Sequence, residues 1–309
     1  MKKFIVFTCI VSLLAGGVQV NGACPKADIT GDCKVNLEDF AIMSAGWLTT
    51  YSYTDLTNMA SEWLSEGVPE PAGVVFVTII DDGVPGYEGF NGEMSKYETT
   101  NAQYCQFLNA ALASGDIYVS NNHVYGASGS NAGEDFVGQV YFDTSNYTSS
   151  SQITWNGTSF SVRSRDGYDM SNHPVVMVSW YGATAFCNYY GYRLPTEWEW
   201  QAVADYDGTF TYGCGTKIDH GKANYDKGNP LNLTSFPYTT PVDHYPSYGY
   251  GMNDMAGNVS EWIYLIYNDN YCVVRGGSWD SFVSRCTVSI RLGSYPYSRD
   301  DGIGFRVCR

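Results

Sequence analysis

The sequence predicts a loop-rich α+β domain preceded by a small helical module, and three observations lead to this prediction. The 309 residues include 33 Gly and 26 Tyr, whereas only 16% of the residues are charged. This composition is typical of aromatic-rich, loop-rich structure and not of long amphipathic helices. Short apolar runs and helix-start signals alternate after residue 74, and a helical pattern repeats before residue 65. The length suits one large domain and one small domain.

The chain is acidic, which limits the classes of partner. Its 32 acidic and 17 basic residues give a formal net charge of −15. Negative charge of this size disfavours nucleic acid and anionic membranes as partners, and it suits cation binding and solubility outside the cell. No segment after residue 23 is apolar enough to predict a membrane span.

The N-terminus has the features of a signal peptide. Two lysines precede an apolar run that ends at Ala15, and small or polar residues follow up to Ala23. We therefore expect residues 1–22 to be cleaved and the protein to be secreted, periplasmic or on the cell surface.

The cysteine content favours disulfides. Nine cysteines are present, and loss of Cys9 with the signal peptide would leave an even number. An even number in an exported chain favours disulfide pairing. Cys24 and Cys33 flank the acidic loop described next and are placed to link it. No CxxC pair is present and the four His are scattered, so a zinc site is not expected.

Residues 28–39 match the ligand spacing of an EF-hand-type calcium loop. Oxygen-bearing side chains stand at the usual positions, and one residue would supply its backbone carbonyl. The ligands would be Asp28, Thr30, Asp32, Asn36 and Asp39, with the carbonyl of Lys34. The loop departs from the usual pattern because Cys33 replaces the central Gly and the last ligand is Asp, not Glu. The alternative is an ordinary acidic turn.

The helical pattern after this loop repeats at a period of about sixteen residues, a sign of paired helices. The matching pairs are Asp39 and Asp55, Met43 and Met59, and Trp47 and Trp63. One such helix cannot bury its apolar face alone, and a duplicate supplies the partner. The loop and helices together resemble a dockerin module at residues 23–66, which implies a cohesin-like scaffold as partner. The alternative is a plain helical hairpin.

Local signals predict short elements after this module. Prolines and a glycine predict a linker over 67–73, and residues 74–309 form the predicted large domain. His173 is expected to hydrogen-bond a neighbouring loop. Thr196 and Glu199 form a capping box that starts a helix, and Arg193 is placed to pair with a carboxylate. The other expected elements are a strand over 74–80, a helix over 102–113 capped by Thr100 or Asn101, hairpins over 114–170, a strand over 175–178, a helix over 181–190 ended by Gly191, and loops over 205–250.

Five ordered segments carry a family resemblance. They are HPVVMVSWYGATAFCNYY (173–190), YYGYRLPTEWEWQ (189–201), NDMAGNVSEW (253–262), RGGSW (275–279) and GIGFRV (302–307). In this order they resemble the formylglycine-generating enzymes, also called sulfatase-modifying factors. The resemblance covers about residues 74–309 and implies that family's α+β fold with a C-type-lectin-like core.

The resemblance implies a calcium site in the NDMAGNVSEW segment. Asp254 and Glu261 would bind through their side chains, and Gly257 and Val259 through their carbonyls. Two carboxylates beside a Gly-rich turn suit calcium, which prefers oxygen ligands. The alternative is a structural turn in which Glu261 is a cap and Asn258 has a positive φ.

The resemblance also implies two cysteine thiolates that hold copper(I) and engage a substrate cysteine. Counted from Trp279, these positions hold Ser281 and Cys286, so the first thiolate is missing. The tryptophan that shapes the oxygen pocket is replaced by Ser260, whereas the pocket serine, Ser278, is present. Cys286 is expected to be bridged, for example to Cys272. The resemblance further implies a bridge between Cys187 and Cys308.

These departures favour a non-oxidase member of the family, an extracellular binding or accessory protein with a protein or glycan ligand. Calcium is then the expected cofactor. The alternative is an active oxidase that uses copper to convert a sulfatase cysteine to formylglycine. A third hypothesis, a related iron-dependent enzyme, needs a cluster of His and carboxylates, which four scattered His do not suggest.

Overall fold

The computed structural model describes residues 26–31, 33–46, 51–52, 54–56, 59, 68, 70–83, 89–128, 136–144, 150–206, 208–268 and 271–309. The predicted signal peptide, Asp32, Trp47 and Trp63 lie outside these residues. The chain divides into two compact units, one within residues 1–70 together with Tyr189–Gly191, the other formed by Pro71–Asn188 and Tyr192–Arg309. Within the described ranges, no helix has the length and apolar character needed to cross a membrane.

The small unit contains helix α1 (Leu37–Ala45), which Asn36 caps by accepting the N–H of Glu38 at 2.7 Å. A side-chain cap of this kind satisfies a backbone donor that the first helical turn leaves unpaired. Among the described residues, the buried cluster of the small unit contains Ala27, Val35, Met43 and Met59, with Ile29, Phe40, Tyr51 and Leu56 packed against it. Met43 and Met59, which are equivalent in the sequence repeat, therefore share one core, as a packed duplicate requires.

The large unit combines three helices with five small sheets among its described residues. The helices are α2 (Asn101–Ser114), α3 (Trp180–Tyr190) and α4 (Glu197–Asp205). Strands β1 (Phe76–Ile80) and β2 (Asn91–Ser95) pair antiparallel. The expected hairpins over 114–170 are present as β3 (Ile117–Ser120), β4 (His123–Gly126) and β5 (Val140–Asp143), then β6 (Ile153–Trp155) with β7 (Phe160–Val162), and β8 (Ser164–Arg165) with β9 (Tyr168–Asp169).

The largest sheet carries the C-terminal motifs. Its strands are β10 (Ser260–Asn268), β11 (Tyr271–Arg275), β12 (Leu292–Ser294) and β13 (Ile303–Gly304), in the order β12-β11-β10-β13. The β10–β13 pair is parallel, and the other two pairs are antiparallel. This sheet places the start of β10, the end of β11 and the residues after β13 next to one another. The predicted α+β, loop-rich class is confirmed.

The core of the large unit is aromatic, which accounts for the composition. Phe107 on α2 and Phe186 on α3 pack edge to face with ring centroids 5.6 Å apart. Both rings lie near Tyr104, and Phe305 packs on Phe186 at 5.4 Å. Such pairs stabilise a core by about 0.5–1.5 kcal/mol beyond the area they bury. The two helices are therefore joined to the C-terminal segment through rings.

The predicted helix starts are confirmed. Thr100 caps α2 with its side chain, and Thr196 and Glu199 form the reciprocal capping box of α4. Arg193 pairs with Glu199 through two hydrogen bonds of 2.5 and 2.7 Å. Because these are contacts between close sequence neighbours, the sequence alone could reveal them.

The predicted strand at residues 175–178 is wrong. Met177 has a φ of 61°, which breaks extended structure. The backbone N–H of Val175 donates to Thr99, and that of Met177 donates to Asp300. Each residue thus pairs with a different loop, and no sheet forms there among the described residues. His173, just before this segment, lies 3.0 Å from the hydroxyl of Thr239 through Nδ1, so the expected loop contact is confirmed.

Candidate functional site

A double-glycine turn at the end of β11 shapes the site. Gly276 and Gly277 have φ values of 89° and 75°, which residues with a Cβ rarely adopt. A Cβ on Gly277 would lie 2.7 Å from the Cys286 sulfur, and one on Gly276 would lie 3.2 Å from the Trp200 ring. The two glycines therefore allow the loop that carries Cys286 to approach the backbone closely.

Ser281 occupies the position where the resemblance requires a thiolate. Its Oγ accepts the Ser278 N–H at 3.0 Å and lies 3.2 Å from the Ser278 Oγ. Both serines are buried. A neutral hydroxyl is a hard, weak ligand for copper(I), which prefers soft sulfur ligands. The two-sulfur arrangement is thus replaced by one pair of hydroxyls and one thiol.

The remaining thiol, Cys286, is fully buried. It follows the 3-10 turn Val283–Arg285, and its sulfur lies 3.8 Å from the Phe282 carbonyl oxygen. Burial raises the pKa of Cys286 to about 12, and the neighbouring Cys214 and Asp226 add to the rise. Cys286 is therefore protonated at neutral pH, and a protonated thiol is neither a good nucleophile nor a good metal ligand.

The structure corrects one expected cysteine pair. Cys272 and Cys286 are both free, and Cys286 packs in a cluster with Cys214, not with Cys272. The expected Cys272–Cys286 bond is wrong because it relied on closeness in the sequence. In the structure, Cys272 lies on β11 and pairs with Ser294 of the edge strand β12. Burial raises the pKa of Cys187, and Cys308 lies near enough to raise it further; both thiols are reduced in this structure, so their bridge stays a prediction.

A buried ion pair between Arg306 and Glu261 lies next to the double-glycine turn. Arg306 donates to both carboxylate oxygens of Glu261 at 2.7 Å, and Trp200 Nε1 donates to the same carboxylate at 2.8 Å. The other guanidinium N–H groups reach the backbone carbonyls of Ser95, Lys96 and Asn253 at 2.9–3.1 Å. Arg306 therefore joins the β2 end, the 253–254 turn and β10. Glu261 is fully buried and its two oxygens already have N–H partners.

Asp254 is the least satisfied polar group of this region. Its side chain is buried, and neither carboxylate oxygen has a hydrogen-bond partner. Burial raises the pKa of Asp254 to about 8, although Arg306 opposes the rise. The side-chain oxygens of Asn253 and Asn224 are also buried without partners. Unpaired buried oxygens are costly unless a proton or a cation satisfies them.

The turn between Asp254 and Glu261 is held by close backbone contacts. A Cβ on Gly257 would lie 2.3 Å from the Asn224 carbonyl oxygen, and Asn258 has the positive φ of 61° considered in the sequence. The Val259 N–H donates to Glu98 Oε1 at 3.1 Å, and the Asn258 amide donates to Glu98 Oε2 at 2.6 Å. Glu98 thus holds the turn in place by accepting hydrogen bonds from two of its residues, Asn258 and Val259. Burial raises its pKa well above the usual value, and the charges of Asp254 and Glu261 raise it further.

No group of three or more His, Cys, Asp or Glu side chains within the described ranges is arranged to hold a metal ion. A cation at Asp254 would therefore depend partly on carbonyl and amide oxygens. Calcium accepts such ligands readily. The unpaired oxygens of Asp254 fit a cation, whereas the Glu261 oxygens are shared with Arg306 and Trp200.

In the small unit, two carboxylates organise the 28–39 loop. Asp28 accepts the N–H groups of Gly31 and Cys33 at 2.7 and 2.8 Å. Asp39 accepts those of Ile29, Thr30 and Asn36 at 2.7–2.9 Å. Burial acts to raise the pKa of Asp39, but these N–H groups outweigh it and hold the pKa below its usual value. Lys34 is exposed and Asp32 lies outside the described residues.

Comparison with known proteins decides the family. The model of the sulfatase-modifying factor enzyme 1-like domain matches residues 88–309. The chain belongs to the sulfatase-modifying-factor family. The matched range includes the double-glycine turn, the buried ion pair and the Asp254 turn described above.

Both active and inactive members are among the similar proteins. The chain is 36% identical over 149 residues to the inactive C-alpha-formylglycine-generating enzyme 2 of Bos taurus, covering 43% of this chain and 49% of that protein. It is 33% identical over 165 residues to the formylglycine-generating enzyme of Streptomyces coelicolor, covering 44% and 52%. It is 35% identical over 160 residues to the serine/threonine-protein kinase pkn1 of Chlamydia caviae, covering 45% and 24%.

The chain spans about half the length of the two formylglycine-generating relatives and about a quarter of the length of the kinase. Among solved structures, CarF matches with a TM-score of 0.51 at 20% identity, covering 76% of this chain and 98% of CarF. Identity this low supports the fold alone.

Sequence reasoning missed three residues of this family site. Glu98 holds the Asp254 turn, Arg306 neutralises Glu261, and Cys214 packs beside Cys286. A signal was present for two of them: Glu98 lies in the motif segment KYETTN, and Arg306 is the single charged residue of GIGFRV. Charged residues in such segments are seldom buried without a partner. Cys214 had no comparable signal.

Proposed function

We propose that this protein is a non-oxidase member of the sulfatase-modifying-factor family, an exported binding or accessory protein. The observation that carries the proposal is Ser281. Its hydroxyl, hydrogen-bonded to the Ser278 N–H, stands where copper chemistry requires a thiolate. A single buried and protonated thiol, Cys286, cannot supply a two-sulfur copper(I) site.

An assay on a sulfatase-motif peptide tests this proposal. We expect the purified full chain, given copper and oxygen, to leave the peptide cysteine unchanged by mass spectrometry. The Streptomyces coelicolor formylglycine-generating enzyme serves as the positive control under the same conditions. Formylglycine made by the wild-type protein and lost in Cys286→Ser would instead establish the oxidase alternative.

Export and tethering belong to the same proposal. The apolar N-terminal run supports a signal peptide over residues 1–22. Cys33 is disulfide-bonded, which is usual for exported proteins and rare in a reducing cytosol. Residues 23–66 would then act as a dockerin-like module that binds a cohesin-like scaffold, while the large domain binds a protein or glycan.

We also propose two calcium sites, one in each unit. The first is the 28–39 loop, in which the carboxylates of Asp28 and Asp39 accept backbone N–H groups and would share their oxygens with the ion. The second uses Asp254 with the carbonyls of Gly257 and Val259 and the carboxylate of Glu261, which the ion would share with Arg306 and Trp200. The unpaired, buried oxygens of Asp254 support it, because a bound cation would satisfy them.

Calorimetric titration of the full chain should separate the two sites. We expect two calcium ions per chain, one of which is lost in Asp28→Ala and the other in Asp254→Gly. Glycine is chosen because Asp254 has a φ of 55°, which glycine adopts without strain. Calcium should also raise the melting temperature of the wild-type large unit, but not that of Asp254→Gly, since a ligand of the folded state alone stabilises it. An unchanged isotherm in either variant rejects that site.

A further inference from the structure

Two buried cysteines that are distant in the sequence meet beneath the double-glycine turn. Cys214 and Cys286 are both almost fully buried and belong to one five-residue cluster, together with Ala223, Tyr225 and Ala256. Both thiols are free in the structure.

The backbone explains why they meet. The turn around Gly213 and Cys214 is closed by two hydrogen bonds of 2.9 Å between Tyr212 and Gly215. Tyr212 also forms an antiparallel bridge with Thr287, and the Val288 N–H donates to Thr211 at 3.0 Å. These pairings fix the tip of the turn alongside the residue that precedes Thr287, which is Cys286.

The surroundings of the pair disfavour metal binding. Burial raises the pKa of Cys214 to about 11 and that of Cys286 to about 12. Metal ions bind thiolates, and a buried apolar cluster opposes the negative charge that two thiolates would bring. A covalent bond between the sulfurs removes both ionisable groups and leaves an uncharged, apolar bridge.

We infer that Cys214 and Cys286 form a disulfide in the oxidised protein. The inference rests on the proposed function, because it gives Cys286 a structural role in place of copper binding. The disulfide bond of Cys33 supports an oxidising compartment for the chain.

The bond forms by exchange with a disulfide donor before the cluster closes. The thiolate of one cysteine attacks the donor disulfide, which gives a mixed disulfide and releases one donor thiol. The thiolate of the second cysteine then attacks the mixed disulfide, forms the Cys214–Cys286 bond and releases the second donor thiol. Two electrons pass to the donor, and the two cysteine protons end on the two donor thiols.

Peptide mapping without reduction tests the inference. The full chain is prepared in two ways, by export into an oxidising compartment and by refolding with oxidised glutathione. Each sample is unfolded, alkylated with iodoacetamide and digested. We expect a linked peptide pair that contains Cys214 and Cys286, while Cys105 and Cys272 carry the alkyl label. Prior reduction should split the pair.

Matched variants identify the partners. In Cys214→Ser, we expect Cys286 to change from unlabelled to fully labelled, and Cys286→Ser should expose Cys214 in the same way. Cys272→Ser should keep the linked pair. Labelled Cys214 and Cys286 in both unreduced preparations, or a link from Cys286 to another cysteine, would overturn the inference. The formylglycine assay reports separately on the proposed function, since a missing link produces no formylglycine by itself.

Discussion

Replacing Arg306 by methionine should lower the free energy of unfolding by about 3–5 kcal/mol, because it leaves the Glu261 carboxylate buried without its cation. The same change removes the guanidinium contacts to the carbonyls of Ser95, Lys96 and Asn253. Domains are commonly stable by only about 5–15 kcal/mol, so this loss is large. Urea denaturation of the full chain, followed by tryptophan fluorescence, measures it.

The chain offers a matched control three residues away. Arg309 pairs with Glu93 at 2.7 Å, but both side chains are more than one third exposed. Exposed pairs contribute about 0–1 kcal/mol, so Arg309→Met should cost far less than Arg306→Met. Arg306→Lys should fall between them, because lysine keeps the charge but loses the two-pronged geometry. Equal losses in Arg306→Met and Arg309→Met would contradict the role given to the buried pair.

Acid should destabilise the protein through His173. Burial, followed by the charge of Arg165 as the second cause, lowers the pKa of His173 from 6.5 to about 4. Between these values the unfolded chain binds a proton that the folded chain excludes, so stability falls as the pH falls through this window. The stability that depends on neutral His173 is fully retained above pH 6.5. The shift corresponds to about 3 kcal/mol lost by pH 4.

Comparing variants separates the contribution of His173 to acid destabilisation from that of the carboxylates. In His173→Asn, the amide can still reach Thr239, but no group at this position titrates near neutral pH. We expect the variant to lose about 3 kcal/mol less than the wild type between pH 7 and pH 4, by urea denaturation at each pH. His220→Asn, at an exposed position, should follow the wild type. Parallel curves for the wild type and His173→Asn would contradict the assignment.

Local contacts made much of the fold predictable. The cap formed by Thr196 and Glu199 and the cap at Thr100 involve residues three positions apart, so their spacing in the sequence is sufficient to predict the helix starts. The sequence likewise predicts the Gly-rich turn after Asp254, which the structure contains. These predictions succeeded because sequence neighbours determine the geometry.

The misses involve contacts between distant segments. Residues 175–178 look like a strand because they are apolar, yet Met177 turns the backbone so that it can reach Asp300. The proximity of Cys214 to Cys286 follows from the Tyr212–Thr287 bridge, which no local pattern indicates. Likewise, nothing near Asp254 in the sequence shows that its carboxylate is left without a donor. Tertiary structure decided each of these cases.

The shared methionine core of the small unit makes that unit sensitive to oxidants. Met43 and Met59 belong to its buried cluster and are almost completely shielded from solvent. A peroxide would convert each thioether into a polar sulfoxide, which an apolar core cannot accommodate. The folded unit protects both sulfurs, so damage would occur only when it opens, and each oxidation would keep it open.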